Sequence, residues 1–219
     1  PASNALVDYS YDVWGRVDRV DRYGTSDEQF FDYDLTSRIT GLTIGQNIAS
    51  PVNSASFAFN PASQISASAK SNNSFAWNGH IDNARSYTAD GRNQYTVAGP
   101  ATFSYDANGN LISDGSNSYV YDVENRLVSK SGGGTSATLR YDPLGRLYEV
   151  NGSQTGIMRF VYDGDALVAE YNGSGAMLQR YVHGTAVGAD DPLISYTGAS
   201  ALIGNARMLY SDERGSIVY

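Results

Sequence analysis

One short pattern recurs through this chain and limits what it can become: an aromatic residue and an aspartate, then glycine three residues after the aspartate, then arginine and an aliphatic residue. It is complete at Tyr141-Asp142-Pro143-Leu144-Gly145-Arg146-Leu147 and at Tyr11-Asp12-Val13-Trp14-Gly15-Arg16-Val17. Tyr105-Asp106-Ala107-Asn108-Gly109-Asn110-Leu111 puts asparagine in the arginine place, and Tyr121-Asp122-Val123-Glu124-Asn125-Arg126-Leu127 puts it in the glycine place. The dipeptide also stands at Tyr33-Asp34 and Tyr162-Asp163. Tyrosines 105, 121, 141 and 162 are 16, 20 and 21 residues apart, and Tyr181 follows 19 later. That spacing suits one β-hairpin per repeat, and internal repetition has to be settled before any other feature of a fold.

The residue types explain the hairpin. Aspartate followed three residues later by glycine fits positions i and i+3 of a type I turn, and Pro143 falls at i+1, where its fixed φ suits the turn. The carboxylate can accept turn amides, while glycine or asparagine takes the left-handed conformation that rejoins the strands through a bulge. In Phe103-Ser104-Tyr105 and Tyr119-Val120-Tyr121 the aromatics lie two apart and so share one face of a sheet. Cross-strand pairs of such side chains contribute roughly 0.2–1 kcal/mol each, and an isolated hairpin is marginal, so repetition supplies the stability. The fold class expected is all-β: tandem hairpins in one long antiparallel sheet.

Weaker copies occupy residues 1–100, and clear ones residues 101–219, within a single array with no composition shift to mark a boundary. Phe31-Asp32-Tyr33-Asp34 runs to Arg38-Ile39 with Ser37 in the glycine place, and Phe57-Ala58-Phe59-Asn60 runs to Ser63-Gln64-Ile65. Phe75-Ala76-Trp77-Asn78 repeats the aromatic entry, and Tyr87-Thr88-Ala89-Asp90-Gly91-Arg92, with aspartate beside glycine, suggests a shorter turn. Gly45–Ser56 and Ser66–Ser74, rich in Ser, Ala and Asn, read as longer loops, and Ser131-Gly132-Gly133-Gly134-Thr135-Ser136 as a flexible connection.

Composition agrees and excludes some functions. Seventeen tyrosines and 23 glycines mix strand-favouring with turn-favouring residues. The net charge is −8 and the 15 basic residues are scattered, which removes the basic stripe that nucleic-acid binding requires. With no cysteine there are no disulfides or thiolate metal sites. No run of 18 apolar residues exists, so no transmembrane helix is expected. The start, Pro1-Ala2-Ser3-Asn4-Ala5, has no leader pattern and reads as a mature or excised segment of something longer.

Candidate chemistry yields to plainer readings. His80 and His183 are about a hundred residues apart and match no ligand spacing. Asp190-Asp191-Pro192 suits an Asx turn better than a cation site. Asp12, Asp34, Asp106, Asp122, Asp142 and Asp163 resemble a row of catalytic carboxylates, but an acid/base pair needs unlike environments and a repeat makes its carboxylates alike. The alternating tyrosines read as sheet-face packing rather than a ligand stripe, and Gly132–Gly134 lacks the lysine and helix of a phosphate loop. Asn72, Asn151 and Asn172 begin Asn-x-Ser triplets, which are glycosylation acceptors only in a suitable secretory pathway. No catalytic residue, metal site or cofactor is expected.

These residues resemble the RHS/YD-repeat family, whose repeat is usually written as residues 141–147 stand here. The resemblance strengthens from residue 103. Phe160–Tyr171 is similar to the lead-in of the RHS-associated core, and Arg180-Tyr181-Val182-His183-Gly184 followed by Asp190-Asp191-Pro192-Leu193 resembles its next element. Leu209–Val218 looks like the element after that. The resemblance implies a sheet that spirals into a shell around a C-terminal toxin or effector, in a secreted or cell-surface bacterial protein. Its partners would be the remainder of the shell and that cargo. Family members usually continue past Val218 into a plug, an autoproteolytic aspartate motif and a toxin, none of which is in the 219 residues.

Three functions therefore compete. A structural shell segment predicts strong β character and no turnover. A self-assembling or adhesive module would pair through unpaired edge strands. A hidden enzyme would need some of the motif carboxylates for chemistry.

Overall fold

A computed structural model describes residues 6–22, 28–45, 51–75, 79, 81–82, 84–184, 191–212 and 215–217. It forms two compact units: Pro1–His80 together with Leu202–Tyr219, and Ile81–Ala201.

In the first unit six strands pair in chain order: β1 (Val7–Tyr11), β2 (Val17–Arg22), β3 (Glu28–Tyr33), β4 (Ile39–Gly45), β5 (Pro51–Phe59) and β6 (Ile65–Lys70). All the pairs are antiparallel. Register places Phe31, Leu42 and Ala55 opposite one another, and Gln29, Ile44 and Asn53 in the next row of the same face. Leu42, Ala55 and Phe57 are buried there with Phe31, Ile39 and Phe59 packed around them. Fully burying a side chain of the Leu or Phe class stabilises by about 1.5–3 kcal/mol, so this face holds the sheet together.

Two of the segments expected as loops are strands. Within Gly45–Ser56, residues 51–56 belong to β5, while 46–50 lie outside the described residues. Residues 66–70 of the other segment lie in β6. The reason is period 2: Asn53, Ala55 and Phe57 point inward, while Ser56 and Ala58 between them are exposed. Small and polar side chains conceal this alternation from a reading of composition. Every residue of β6 is exposed, and its pairing with β5 defines it as a strand.

The second unit begins with a three-stranded sheet of β7 (Tyr87–Ala89), β8 (Tyr95–Ala98) and β9 (Ala101–Thr102). Then come β10 (Ser104–Tyr105), β11 (Leu111–Ser113), β12 (Asn117–Tyr121), β13 (Leu127–Gly132) and β14 (Thr135–Tyr141). They continue as β15 (Leu147–Gly152), β16 (Gly156–Asp163), β17 (Ala166–Asn172), β18 (Met177–His183) and β19 (Pro192–Thr197). From β10 to β19 each strand pairs with the next, so the chain is a meander of hairpins. Because successive turns alternate edges, the turns at 106–110, 122–126 and 142–146 share one edge. Its most buried apolar residues are Ala98, Ala169, Leu193, Ile194 and Tyr196.

The supposed flexible connection at 131–136 is a two-residue hairpin. Gly132 pairs with Thr135, and Gly133 and Gly134 have φ of 59° and 78°. Two left-handed residues in succession make the turn whose twist matches that of the strands, and glycine adopts it at no steric cost. Among the described residues no helix is long and apolar enough to cross a membrane.

Candidate functional site

Each clear repeat builds the same five-residue clamp at the hairpin tip. At Asp142 the backbone N–H donates to the Arg146 carbonyl at 2.9 Å, and the Gly145 N–H donates to the Asp142 carbonyl at 2.9 Å. The carboxylate then takes over the turn. Its Oδ1 accepts the N–H groups of Leu144 and Arg146, both at 2.9 Å, and its Oδ2 accepts Arg146 Nε at 2.8 Å. Gly145 has φ of 83°, the left-handed residue that lets two residues oppose one across the ladder.

The geometry recurs at Asp12, Asp34, Asp106 and Asp122, whose Oδ1 atoms accept the N–H groups two and four residues on at 2.8–3.0 Å. Gly15, Ser37, Gly109 and Asn125 fill the left-handed place, with φ of 78°, 64°, 90° and 61°. Arg16, Arg38 and Arg126 return through Nε to Oδ2 of their own aspartate, and Asn110 does so through Nδ2. Asn60 forms the neutral version: its Oδ1 accepts from Ala62 and Gln64, and its Nδ2 donates to Gln64 Oε1 at 2.9 Å.

Four copies depart from the sequence reading. Asp90 makes the same five-residue turn and not a shorter one, because Asn93, at φ 62°, takes the left-handed place and Gly91 is only a passenger. Asn172, set aside as a stray triplet, clamps its own turn to Ala176 with Gly175 at φ 84°. Asp212 accepts the Ser216 N–H at 2.9 Å, and the Gly215 N–H donates to its carbonyl. Asp163 makes no such clamp: it lies on β16 opposite Ala166, across a two-residue turn led by Gly164.

The motif tyrosines and arginines meet across repeats, which spacing alone did not reveal. Tyr33, Tyr141 and Tyr162 donate their hydroxyls to the carbonyls of Val17, Leu127 and Leu147, the aliphatic residue closing the preceding motif, at 2.8–2.9 Å. Tyr105 does the same to Tyr95. The arginine of the preceding repeat lies over the next aromatic ring: Arg16 over Tyr33 at 4.5 Å, Arg38 over Phe59 at 4.7 Å, Arg126 over Tyr141 and Arg146 over Tyr162, both at 4.9 Å. The outer guanidinium nitrogen reaches further still, from Arg16 to the Asp34 carbonyl and from Arg146 to the Gly164 carbonyl. Aspartate, arginine and the next aromatic thus form short runs of contacts between neighbouring repeats, from Asp12 to Phe59 in the first unit and from Asp122 to Tyr162 in the second. Tyr11 is largely exposed, and Tyr121 closes its hairpin opposite Leu127.

His183 fits this scheme. It ends β18 where other strands end in tyrosine, and its Nε2–H donates to the Leu167 carbonyl at 2.6 Å as the tyrosine hydroxyls do. His80 and Asp190 lie outside the described residues; the Asp191 carbonyl accepts the Gly184 N–H.

The carboxylates are held ionised. For Asp34, Asp90 and Asp122 the amide N–H of residue i+4 is the strongest influence and lowers the pKa; for Asp106 the Asn110 side chain leads in the same direction. At Asp12 and Asp142 desolvation is the largest single influence and acts upward, but the turn amides and the arginine together outweigh it. A general acid needs a raised pKa, so these groups are poor proton donors at neutral pH. Among the described residues no group of three or more His, Asp or Glu could hold a metal ion. A shallow hollow on the first unit contains one carboxylate, Asp32, among the hydroxyls of Thr43, Ser54 and Ser56, not a carboxylate pair.

Sequence reasoning missed two buried polar clusters. Glu149, 6% exposed, bridges Arg159 at 2.8 Å and Arg140 at 3.5 Å, its register partners on either side. Arg22 and Gln29 are buried in the first unit. An isolated charge in a strand gives no signal of burial until its cross-strand partners are known.

No family model matches the chain. Over 112 residues, 48% of this chain and 4% of the relative, it is 34% identical to the tRNA3(Ser)-specific nuclease WapA of Bacillus spizizenii. It is 38% identical over 84 residues to the tRNA nuclease WapA of Bacillus subtilis, again 4% of that protein. In fold, 97% of the chain superposes on 14% of a chain of the Photorhabdus luminescens Tc holotoxin pore, with a TM-score of 0.58 at 14% identity. The TcdB2–TccC3 structure lacking its hypervariable C-terminal region gives 0.55 at 15% identity, over 97% of this chain and 15% of that one. Both likenesses agree with the resemblance of its repeats to the RHS/YD pattern. The hairpins build an antiparallel sheet, and the chain spans only about 4% of the length of the curated relatives it matches.

Proposed function

We propose that the chain is a non-catalytic segment of a secreted or cell-surface bacterial RHS protein, and that its sheet forms part of a shell enclosing a C-terminal toxin or effector. The observation that carries this reading is the clamp: the carboxylates of Asp12, Asp34, Asp106, Asp122 and Asp142 are engaged by the amides of their own turns, and Arg16, Arg126 and Arg146 lie over Tyr33, Tyr141 and Tyr162 of the adjoining repeat. The motif residues Tyr11, Asp12, Gly15, Arg16, Tyr33, Asp34, Tyr105, Asp106, Gly109, Tyr121, Asp122, Arg126, Tyr141, Asp142, Gly145, Arg146, Tyr162 and Asp163 are read as structural. The named nuclease activity of the WapA relatives and the toxin setting of the TccC3 structures make an enclosed effector the natural cargo.

The test uses the longer protein that carries these repeats. Limited proteolysis should leave its C-terminal polypeptide intact while the shell is folded, and degrade it once the clamps at Asp122 and Asp142 are removed together. Equal degradation in both would reject enclosure. Self-association through edge strands is the second reading, because β1 and β6 each pair on one side within their sheet. A concentration-independent monomer by light scattering would count against it.

A further inference from the structure

Buried polar side chains of the first unit converge on a segment that lies nearly the whole chain away in sequence. Arg22, the last residue of β2, is 1% exposed, and its Nη2 donates to the Leu209 carbonyl at 2.9 Å and to Gln29 Oε1 at 3.2 Å. Its guanidinium lies 4.3 Å from the centre of the Tyr210 ring, and Tyr210 is 0% exposed. Gln29 on β3, 2% exposed, donates from Nε2 to the Ser211 carbonyl at 3.0 Å. Val20 and Ile44 flank Gln29 in register, and both are buried. One aromatic ring and the carbonyls on either side of it are therefore each met by a dedicated group.

We propose that this patch of β2 and β3 is a peptide-binding site. Its occupant is the chain's own segment 209–211, recognised by the Tyr210 ring and the Leu209 and Ser211 carbonyls and held without the covalent link. A buried guanidinium is costly unless its donors and its face are satisfied, and here the Leu209 carbonyl, Gln29 Oε1 and the Tyr210 ring do so. A fully buried tyrosine also removes some 150–250 Å² from water, a large part of what a short peptide can offer. The link is external by contrast: Leu202 and Ile203 are 73% and 52% exposed. The ligand class is an extended peptide with one large aromatic residue between two carbonyl-presenting neighbours. This inference is separate from enclosure, and neither depends on the other.

The experiment places a specific protease sequence between Ala201 and Leu202 of the full chain, cleaves it, and follows the 202–219 fragment by size exclusion and mass spectrometry. The fragment is expected to co-elute with the remainder in the parent chain and to separate in Arg22→Met and Tyr210→Ala. A labelled synthetic 202–219 peptide should exchange into the nicked parent and bind at least tenfold more weakly when it carries Tyr210→Ala. Circular dichroism of the uncut variants checks that they remain folded. Separation of the fragment from the nicked parent overturns the proposal whatever the variants do. Equal retention in parent and folded variants overturns it as well.

Discussion

Tyr162 and Arg146 test whether the contact chain couples repeats energetically. The Tyr162 hydroxyl donates to the Leu147 carbonyl at 2.9 Å, and Arg146 lies over its ring at 4.9 Å. Tyr162→Phe removes the hydroxyl and keeps the ring, and a hydrogen bond of this kind is worth about 0.5–1.5 kcal/mol net. Tyr162→Leu also removes the face presented to the guanidinium, a further 0.5–1 kcal/mol or so at a half-exposed site. The second loss depends on Arg146; the first does not. A double-mutant cycle in urea, comparing Phe with Leu at 162 in Arg146 and Arg146→Met backgrounds, isolates the stacking term. The expected result is a coupling of about 0.5–1 kcal/mol, seen also as a melting shift of about 2–4 °C per kcal/mol for a chain of this size. A coupling indistinguishable from zero, with Phe and Leu equally damaging in both backgrounds, would refute the claim that arginine links one repeat to the next.

Three further outcomes follow from the same geometry. The carboxylates of Asp34, Asp90, Asp106, Asp122 and Asp142 have folded pKa values below the unfolded value of about 3.9, so their stabilisation is present above that pH and is lost as pH falls through the folded values. Denaturant midpoints should be flat from neutral pH to about 5 and should drop below about 4; a midpoint unchanged at pH 3 would contradict the clamp. Gly132→Ala should destabilise by more than about 1 kcal/mol, because φ is 107° and an added Cβ would come within 2.3 Å of the Ser116 carbonyl oxygen; a neutral melting curve would refute this. Glu149→Gln should cost about 1–3 kcal/mol by breaking the bridge between Arg140 and Arg159, and an unchanged urea midpoint would show that the triad contributes nothing.

The sequence reading located the hairpin tips because the left-handed slot and the turn carboxylate leave residue-type marks three positions apart, as at Asp142 and Gly145. It misjudged Asp90 because it tied that slot to glycine, and Asn93 fills it. It passed over Asn172 because the same side chain can serve as a clamp with an amide oxygen in place of a carboxylate. It lost β5 and β6 because alternation among Ser, Ala and Asn carries little contrast, and pairing of β5 with β4 and of β6 with β5, rather than propensity, makes those residues strands. The links between repeats, such as Arg16 to Tyr33, and the burial of Arg22 depend on which strands become neighbours. That is a property of register, which residue types record only faintly.

The most direct measurement of the central claim is amide hydrogen exchange in Asp142→Ala. If the motif aspartates hold turns, the Leu144 and Arg146 amides, whose acceptor is the lost carboxylate, should exchange far faster, and protection should weaken next at the Arg146–Tyr162 contact. Unchanged protection at Leu144 and Arg146 would contradict a structural role for the carboxylate.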